Sequence, residues 1–547
     1  MVVRAHYAAV RAIPVVQRFG DRKVGPQLGN IAHLILLFNW RLPLLTSRRQ
    51  ILAGFAGLPL ALSGHALRAE TGGAVFKSAL ASEPRKVVII GAGLAGLQAA
   101  LLLKQAGIDD IVVLEGSKRI GGRVFTADWL ENAPEFGASQ IGRSYARVLD
   151  LCNQFNLKLI PEDRNLLTMA SHIRGQWVNA ADWANSPVNK MVGEERSIQP
   201  ALTGSQLMGR YNRLKDPVDW LDPAFADLDV SLEQLLKRHG HSAEALHLAN
   251  LSSTGNDALS ASCLSMMQEQ ARARIDARFG NIELGKEQRP YGFDNVRNGT
   301  GLALINNIEG GCERLPKAMA SALGDIVRTG KTVGSIDMTG TRAVINCLDG
   351  SSFTADRVIS AIPFTSLRKI AINPLPEGAQ AEAISYLGYA HTTRAFGTIV
   401  EPFWDDGIDP SFYSDGLVKM FWALQRRNGD SHHRFMVVMT GAAASRIDQF
   451  APDEALAMIE AEIARIRPST RGKLRFSGIF GWQNVGLIGG CRHMFAPGQV
   501  TRFGNAMIEP FRQLHFAGEH TRRADFGMEA ALESGERAAI EVMEKVA

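Results

Sequence analysis

The chain has 547 residues, 46% hydrophobic and 21% charged, with a formal net charge of +5. That length and apolar content suit a large globular core divided into about two domains. The mild positive charge comes without any run of basic residues interleaved with aromatics, so nucleic acid is not an expected partner. The five cysteines (Cys152, Cys263, Cys312, Cys347 and Cys491) are scattered, and their spacing offers neither a disulfide framework nor a zinc site.

Residues 1–46 are basic and apolar by turns. The apolar run at 33–45 is broken by Asn39, Arg41 and Pro43 and is too short to span a membrane. Ser47-Arg48-Arg49-Gln50-Ile51-Leu52, the diluted apolar stretch 53–66 and the small residues near 64–69 resemble a twin-arginine export signal. The expectation is an extension over 1–69 that engages the twin-arginine export machinery and directs the protein to the periplasm or beyond. Much of 1–46 is expected to reflect an upstream start site. Residues 70–83 read as a linker.

The strongest pattern follows. Residues 87–90 are wholly apolar and β-branched, as in a strand buried on both faces. Gly91-Ala92-Gly93-Leu94-Ala95-Gly96 comes next, then a predicted helix through residue 105. Gly91 permits a tight turn, Gly93 lets backbone approach a pyrophosphate, and Gly96 lets helix and strand pack closely. The helix N-terminus offers free N–H groups to phosphate. A second apolar strand, 111–114, ends in Glu115, whose carboxylate can accept ribose hydroxyls. Together these predict dinucleotide binding.

Gly121-Gly122-Arg123 lies just beyond. This arrangement resembles the start of the flavin-containing amine oxidase family, which includes monoamine, polyamine and L-amino-acid oxidases. The resemblance implies FAD as cofactor and an α/β fold. A glutathione-reductase-like Rossmann domain would comprise residues 83–150, 299–373 and 479–547. A monoamine-oxidase-like α+β substrate domain would be inserted at 151–298 and 374–478.

Further expectations follow in chain order. Residues 134–142 resemble the strand that passes under the flavin, with Ser139 and Gln140 close to the ring where many relatives carry an aromatic. Region 145–298 is assigned to substrate-domain helices, with patterns at 148–155, 232–239 and 264–274 and a polar, loop-rich stretch at 185–222. Met266 and Met267 are assigned to core. Val333 is expected to meet the adenine side through its backbone. Asp349-Gly350 signals a hairpin, and 355–363 a strand returning to the edge of the flavin domain.

Arg394 stands ten residues before Trp404, where many relatives have a lysine linked to reaction of reduced flavin with oxygen. An arginine there keeps the charge but does not readily lose a proton. The electron acceptor is therefore open between O2 and a periplasmic carrier such as cytochrome c.

The closing stretch Phe516-Ala517-Gly518-Glu519-His520-Thr521 and then Gly527-Met528 resembles the family's last FAD element. Glu519 is expected beside the ribityl or pyrophosphate groups. The helix opening at Gly527 would turn its amides toward the electron-rich edge of the ring. The two aromatic positions that sandwich the amine in many relatives fall on Gly527 and near Arg492, so both rings are expected to be missing. Arg492 or His493 would then make a polar wall, suited to a bulky substrate or one bearing a carboxylate. Cys491 matches a cysteine that some relatives attach to the flavin; attachment and simple packing both stay open.

The implied reaction is oxidation of an amine C–N bond by hydride transfer to the flavin, with hydrolysis of the imine. Arg394, Arg492 and Gln140 are the catalytic candidates. An L-amino-acid oxidase, a desaturase and a flavin-binding scaffold are the alternatives. No metal-ligand cluster is evident, and a homodimer is left open.

Overall fold

A computed structural model describes residues 86–161, 169–251, 255–280, 305–425 and 432–544. The expected export signal and linker lie outside the described residues, as does the end of the first substrate segment near 298.

The core of the cofactor-side architecture is a five-stranded sheet. Its order is Leu514–Phe516, Arg357–Ser360, Val87–Ile90, Ile111–Leu114 and Val327–Arg328, all parallel. Successive side chains alternate between two cores. Val87, Ile89, Ile111 and Val113 face the helices Leu94–Gln105, Arg314–Leu323 and Gly527–Glu544. Val88, Ile90, Val112 and Leu114 face a second layer containing Val333, Ile336 and Ile345 of the sheet Ser352–Ala355, Ala343–Cys347, Val333–Asp337 and Ala371–Asn373. Strands enclosed on both sides read as continuous apolar runs, which is why the sequence pattern is uniform rather than alternating. Helix Leu94–Gln105 is apolar nearly all round because it lies between the sheet and the last helix. A Cβ on Gly535 would sit 2.2 Å from the Ala95 carbonyl oxygen, so the two helices meet backbone to backbone.

Strand Arg357–Ser360 was expected at the edge of this domain. It is instead internal, paired with Val87–Ile90 on one side and Leu514–Phe516 on the other. The C-terminal strand takes the edge, and its three residues gave no strand signal of their own.

The second body is a seven-stranded sheet ordered Leu474–Gly481, Thr392–Ile399, His432–Thr440, Met420–Gln425, Phe412–Ser414, Ala170–Ile173 and Gln176–Val178. One face, with Phe421, Phe435 and Val437, is covered by helix Pro452–Ile466. The other presents Arg394 in register with Val438 and Phe480, and Phe396 with Met436. Phe396, Met420, Met436 and Val438 join the core that the helices of 203–280 share.

The region expected to be helical therefore also contributes strands Leu159–Pro161, Ala170–Ile173 and Gln176–Val178. The stretch expected to be loop-rich holds short 3-10 turns and the helix Thr203–Gly209. It buries Ile198, Leu207, Met208, Leu214 and Trp220. The hairpin at Asp349-Gly350 joins Ala343–Cys347 to Ser352–Ala355 as expected. Met267 is fully buried and Met266 packs against the same core. Among the described residues, no helix is long and apolar enough to cross a membrane, and no group of three metal-ligating side chains converges.

Candidate functional site

The site begins where strand Val87–Ile90 turns into helix Leu94–Gln105. Gly91 has φ +105°, a left-handed conformation that favours glycine. A Cβ on Gly96 would lie 2.0 Å from the Gly91 carbonyl oxygen. Gly93 differs from both. Its backbone is extended (φ −81°, ψ 178°), and a Cβ there would meet only the Gly122 Cα, at 3.9 Å. Gly93 and Gly122 thus meet backbone to backbone, with no side chain between them. No side chain caps the helix that starts at Leu94, and no acid sits in its first turn. The first-turn amides of such a helix suit a phosphate. Leu94 and Ala95 point into the core and can contribute only backbone.

Glu115 is fixed at the end of the second strand. Its carboxylate accepts from the Ala92 and Ser117 N–H groups, each at 2.9 Å. Gly121 donates to the Ala92 carbonyl at 2.8 Å, which brings Gly121 and Gly122 alongside the glycine turn. Val333 is buried and opposite Cys347 in its sheet, while neighbouring Thr332 hydrogen-bonds the Gly116 carbonyl.

At the other end lies a compact charged cluster. Arg123 Nη1 donates to the Cys491 carbonyl at 2.9 Å and to Glu519 at 3.2 Å. His493 Nδ1 lies 2.9 Å from the other Glu519 oxygen. Burial alone would raise the Glu519 carboxyl, but His493, Arg123 and Arg522 outweigh it and hold the group well below its usual range. Burial and the neighbouring His493 and Arg123 hold His520 well below the usual imidazole value. His520 is fully enclosed beside Phe364 and Tyr389. Gly518, with φ +124°, donates its N–H to Ser534 Oγ and lets this turn close over His520.

Arg492 does not stand open as a carboxylate ligand, contrary to expectation. Glu269 binds it through both oxygens, at 3.1 and 3.2 Å, and also accepts from Arg522 at 3.0 Å. Burial pushes the Glu269 carboxyl up, yet the two arginines leave it below its ordinary value. Sequence reasoning missed Glu269, Arg522 and His520. Ser265, Gln268, Glu269 and Arg272 form a polar stripe at helical spacing on Cys263–Gly280, which in a sequence looks like a solvated face. Here Ser265, Gln268 and Arg272 are buried against the loop 522–525.

Arg394 donates to the Gly137 carbonyl at 2.8 Å and the Glu135 carbonyl at 3.3 Å, bracing the segment expected beneath the ring. Ser139 is buried on that segment and Gln140 is exposed. Gly527 is exposed at the start of the last helix, whereas Met528 turns into the helix-side core and has only backbone to offer. The aromatic expected to be missing at Gly527 is partly replaced. The Tyr145 hydroxyl comes within 3.3 Å of where a Gly527 Cβ would lie, with its ring edge-on to Phe526. Cys491 is half-buried, while the other four cysteines are buried; none forms a disulfide.

The residues fit FAD: a side-chain-free glycine cradle, a pinned carboxylate at its adenosine end, and a charged cluster with an exposed helix N-terminus at its far end. Three comparisons with known proteins bear on this reading. The family model described as flavin containing amine oxidoreductase matches residues 94–543. An L-amino-acid oxidase of Crotalus adamanteus is 25% identical over 480 residues, covering 84% of this chain and 87% of that protein. One from Demansia vestigiata is 25% identical over 488 residues, with the same coverages. Among solved structures, putrescine oxidase bound to putrescine superposes with a TM-score of 0.65 at 21% identity, over 84% of this chain and 99% of that one. Cyclohexylamine oxidase from Brevibacterium oxydans IH-35A gives 0.67 at 18% identity, over 85% and 100%.

Proposed function

The chain belongs to the flavin-containing amine oxidoreductases, and from that premise we propose that its substrate is an amine without an α-carboxylate. FAD, when bound, supplies the two-electron acceptor for the hydrogen on the carbon next to nitrogen; water then converts the imine to a carbonyl compound and ammonia or a smaller amine. Gly93, Gly122 and the amides that open helix Leu94–Gln105 would hold the pyrophosphate, with Glu115 at the ribose. Arg123 and Glu519 would hold the other end.

The observation that carries the reading is the family match over residues 94–543. The residues around the reacting end add a physical argument. Arg123, Arg492 and Arg522 outnumber Glu519 and Glu269, while burial keeps His493 and His520 toward the neutral form. A net positive surround disfavours an ammonium ion and favours the neutral amine, the form from which hydrogen is removed.

An L-amino-acid oxidase is the second reading, favoured by the two snake-venom relatives. Anaerobic bleaching of the flavin by a panel of amines, polyamines and L-amino acids separates the two. Bleaching by amines supports the proposal and bleaching by L-amino acids alone sinks it. If neither bleaches a flavin that dithionite still reduces, amine oxidation fails altogether. Admitting air, then oxidised cytochrome c, distinguishes O2 from an electron carrier as acceptor. We also propose export through the twin-arginine route, on the strength of Ser47-Arg48-Arg49-Gln50-Ile51-Leu52. Replacing both Arg48 and Arg49 by lysine should retain the protein in the cytoplasm; unchanged periplasmic recovery would refute it.

A further inference from the structure

We propose that Glu269 sets the substrate class of this enzyme: it occupies, from within the chain, the two guanidinium groups that a substrate carboxylate would otherwise bind. The inference rests on the amine-oxidising reading above and gives it a residue.

The geometry is that of a bound carboxylate. Glu269 Oε1 accepts from Arg522 Nη1 at 3.0 Å and from Arg492 Nη1 at 3.2 Å, while Oε2 accepts from Arg492 Nη1 at 3.1 Å. The three residues come from the helix Cys263–Gly280, the segment after Gly489-Gly490-Cys491, and the turn after Glu519. The resemblance puts Arg492 near one of the two positions that sandwich the amine in many relatives, which is the reacting end. Arg492 follows Cys491, whose carbonyl is held by Arg123, and Arg123 in turn holds Glu519. The Arg522 side chain is 2% exposed, whereas Arg492 is 34% and Glu269 27% exposed. The outer member of the arginine pair therefore opens outward with the Glu269 carboxylate already bound to it. Both Nε–H groups are buried and lack a hydrogen-bond partner among the described residues.

An α-amino acid carries a carboxylate of the same shape as the Glu269 head. It can reach Arg492 only by displacing Glu269 or by lying against it. Displacement strips a half-buried carboxylate of two charge-assisted partners, and juxtaposition sets two like charges side by side. An amine lacking the carboxylate meets neither cost. Removing the acid inverts the preference, because it leaves two guanidinium groups that now need an anion.

The test uses the FAD-loaded full chain as wild type, Glu269→Gln, Glu269→Asp and the double variant Glu269→Gln with Arg492→Gln. Each is reduced anaerobically by matched pairs, an L-amino acid beside its decarboxylated amine, so that only the carboxylate differs. The oxidised flavin spectrum is also titrated with benzoate, a carboxylate that cannot be oxidised here. Wild type should favour the amine of each pair, with no benzoate response. Glu269→Gln should move the rate ratio toward the amino acid by about ten- to a hundredfold and acquire benzoate binding. Glu269→Asp should keep the wild-type preference, and the double variant should lose the benzoate site. A wild type that prefers amino acids overturns the proposal. So does a Glu269→Gln variant with unchanged ratio and no benzoate binding. If that variant does not fold, the wild-type ratio and Glu269→Asp decide the matter. Failure of every amine and amino acid to reduce the wild type retires the functional reading instead, and benzoate binding by Glu269→Gln still decides what Glu269 does.

Discussion

The glycine turn at residues 91–96 and the charged cluster around Arg123 are the two ends of one cradle, made of opposite materials. At the turn, the decisive feature is what side chains leave out: Gly93 faces Gly122 with nothing between. At the cluster, charged side chains fill the space and pair with each other, Arg123 with Glu519 and Arg492 with Glu269. The first end presents backbone and tolerates no intrusion. The second stores charge and responds to pH and to substitution. Shape should therefore govern affinity at one end, and electrostatics selectivity at the other.

The largest effects should come from the glycines, and they should split. Gly96→Ala places a methyl 2.0 Å from the Gly91 carbonyl oxygen, an overlap the strand and helix cannot relieve without moving apart. The expected loss is about 3 kcal/mol or more of stability, with or without FAD. Gly93→Ala has a compatible backbone and free space. The apoprotein should stay within about 1 kcal/mol of wild type, while FAD affinity falls sharply. Denaturant unfolding of both apo forms, together with flavin release on dilution, reads the two losses separately. Equal destabilisation of the apo forms would break the contrast.

This difference also explains what could be read from sequence. Gly91 to Gly96, Glu115 and Gly121 to Arg123 lie within one strand–turn–helix–strand unit, so spacing alone places them together. Glu519 was legible through a second local signature. Glu269, Arg522 and Tyr145 were not. They converge from segments far apart in the chain, and the stripe that carries Glu269 has the pattern of a wet surface. The order of the parallel sheet was partly hidden for a related reason: Leu514–Phe516 is a three-residue edge strand, too short to announce itself.

The charged end should titrate where the glycine end does not. Burial holds His520 well below its ordinary value, and His493 shifts the same way. Both therefore bind protons less readily in the fold than in the unfolded chain, and take them up on unfolding as the pH falls below the unfolded imidazole value of about 6.5. Each contributes stability that is complete above that pH and is lost below it, at about 1.4 kcal/mol per pH unit, until its folded value is reached. His520→Gln should flatten this acid limb in a series of unfolding curves between pH 6.5 and 5. A limb of unchanged slope would mean that His520 is not the enclosed neutral group the geometry describes.

The smallest expected effect concerns Arg394, and it decides whether this residue belongs to the charged end at all. Its Nη1 holds two backbone carbonyls, Glu135 and Gly137, on the segment expected beneath the flavin. That makes it a strut for the segment's position. Arg394→Lys keeps the charge but replaces a planar fork with a shorter, single ammonium, so one of the two bonds should be lost, at about 1 kcal/mol. A strut predicts slight loss of stability with nearly unchanged reoxidation of the reduced enzyme by air. A residue engaged with oxygen chemistry predicts marked acceleration, because a lysine can give up the proton that arginine retains. Stopped-flow reoxidation, with a melting curve of the same sample, separates the two. Acceleration without loss of stability would move Arg394 from the scaffold to the reacting centre.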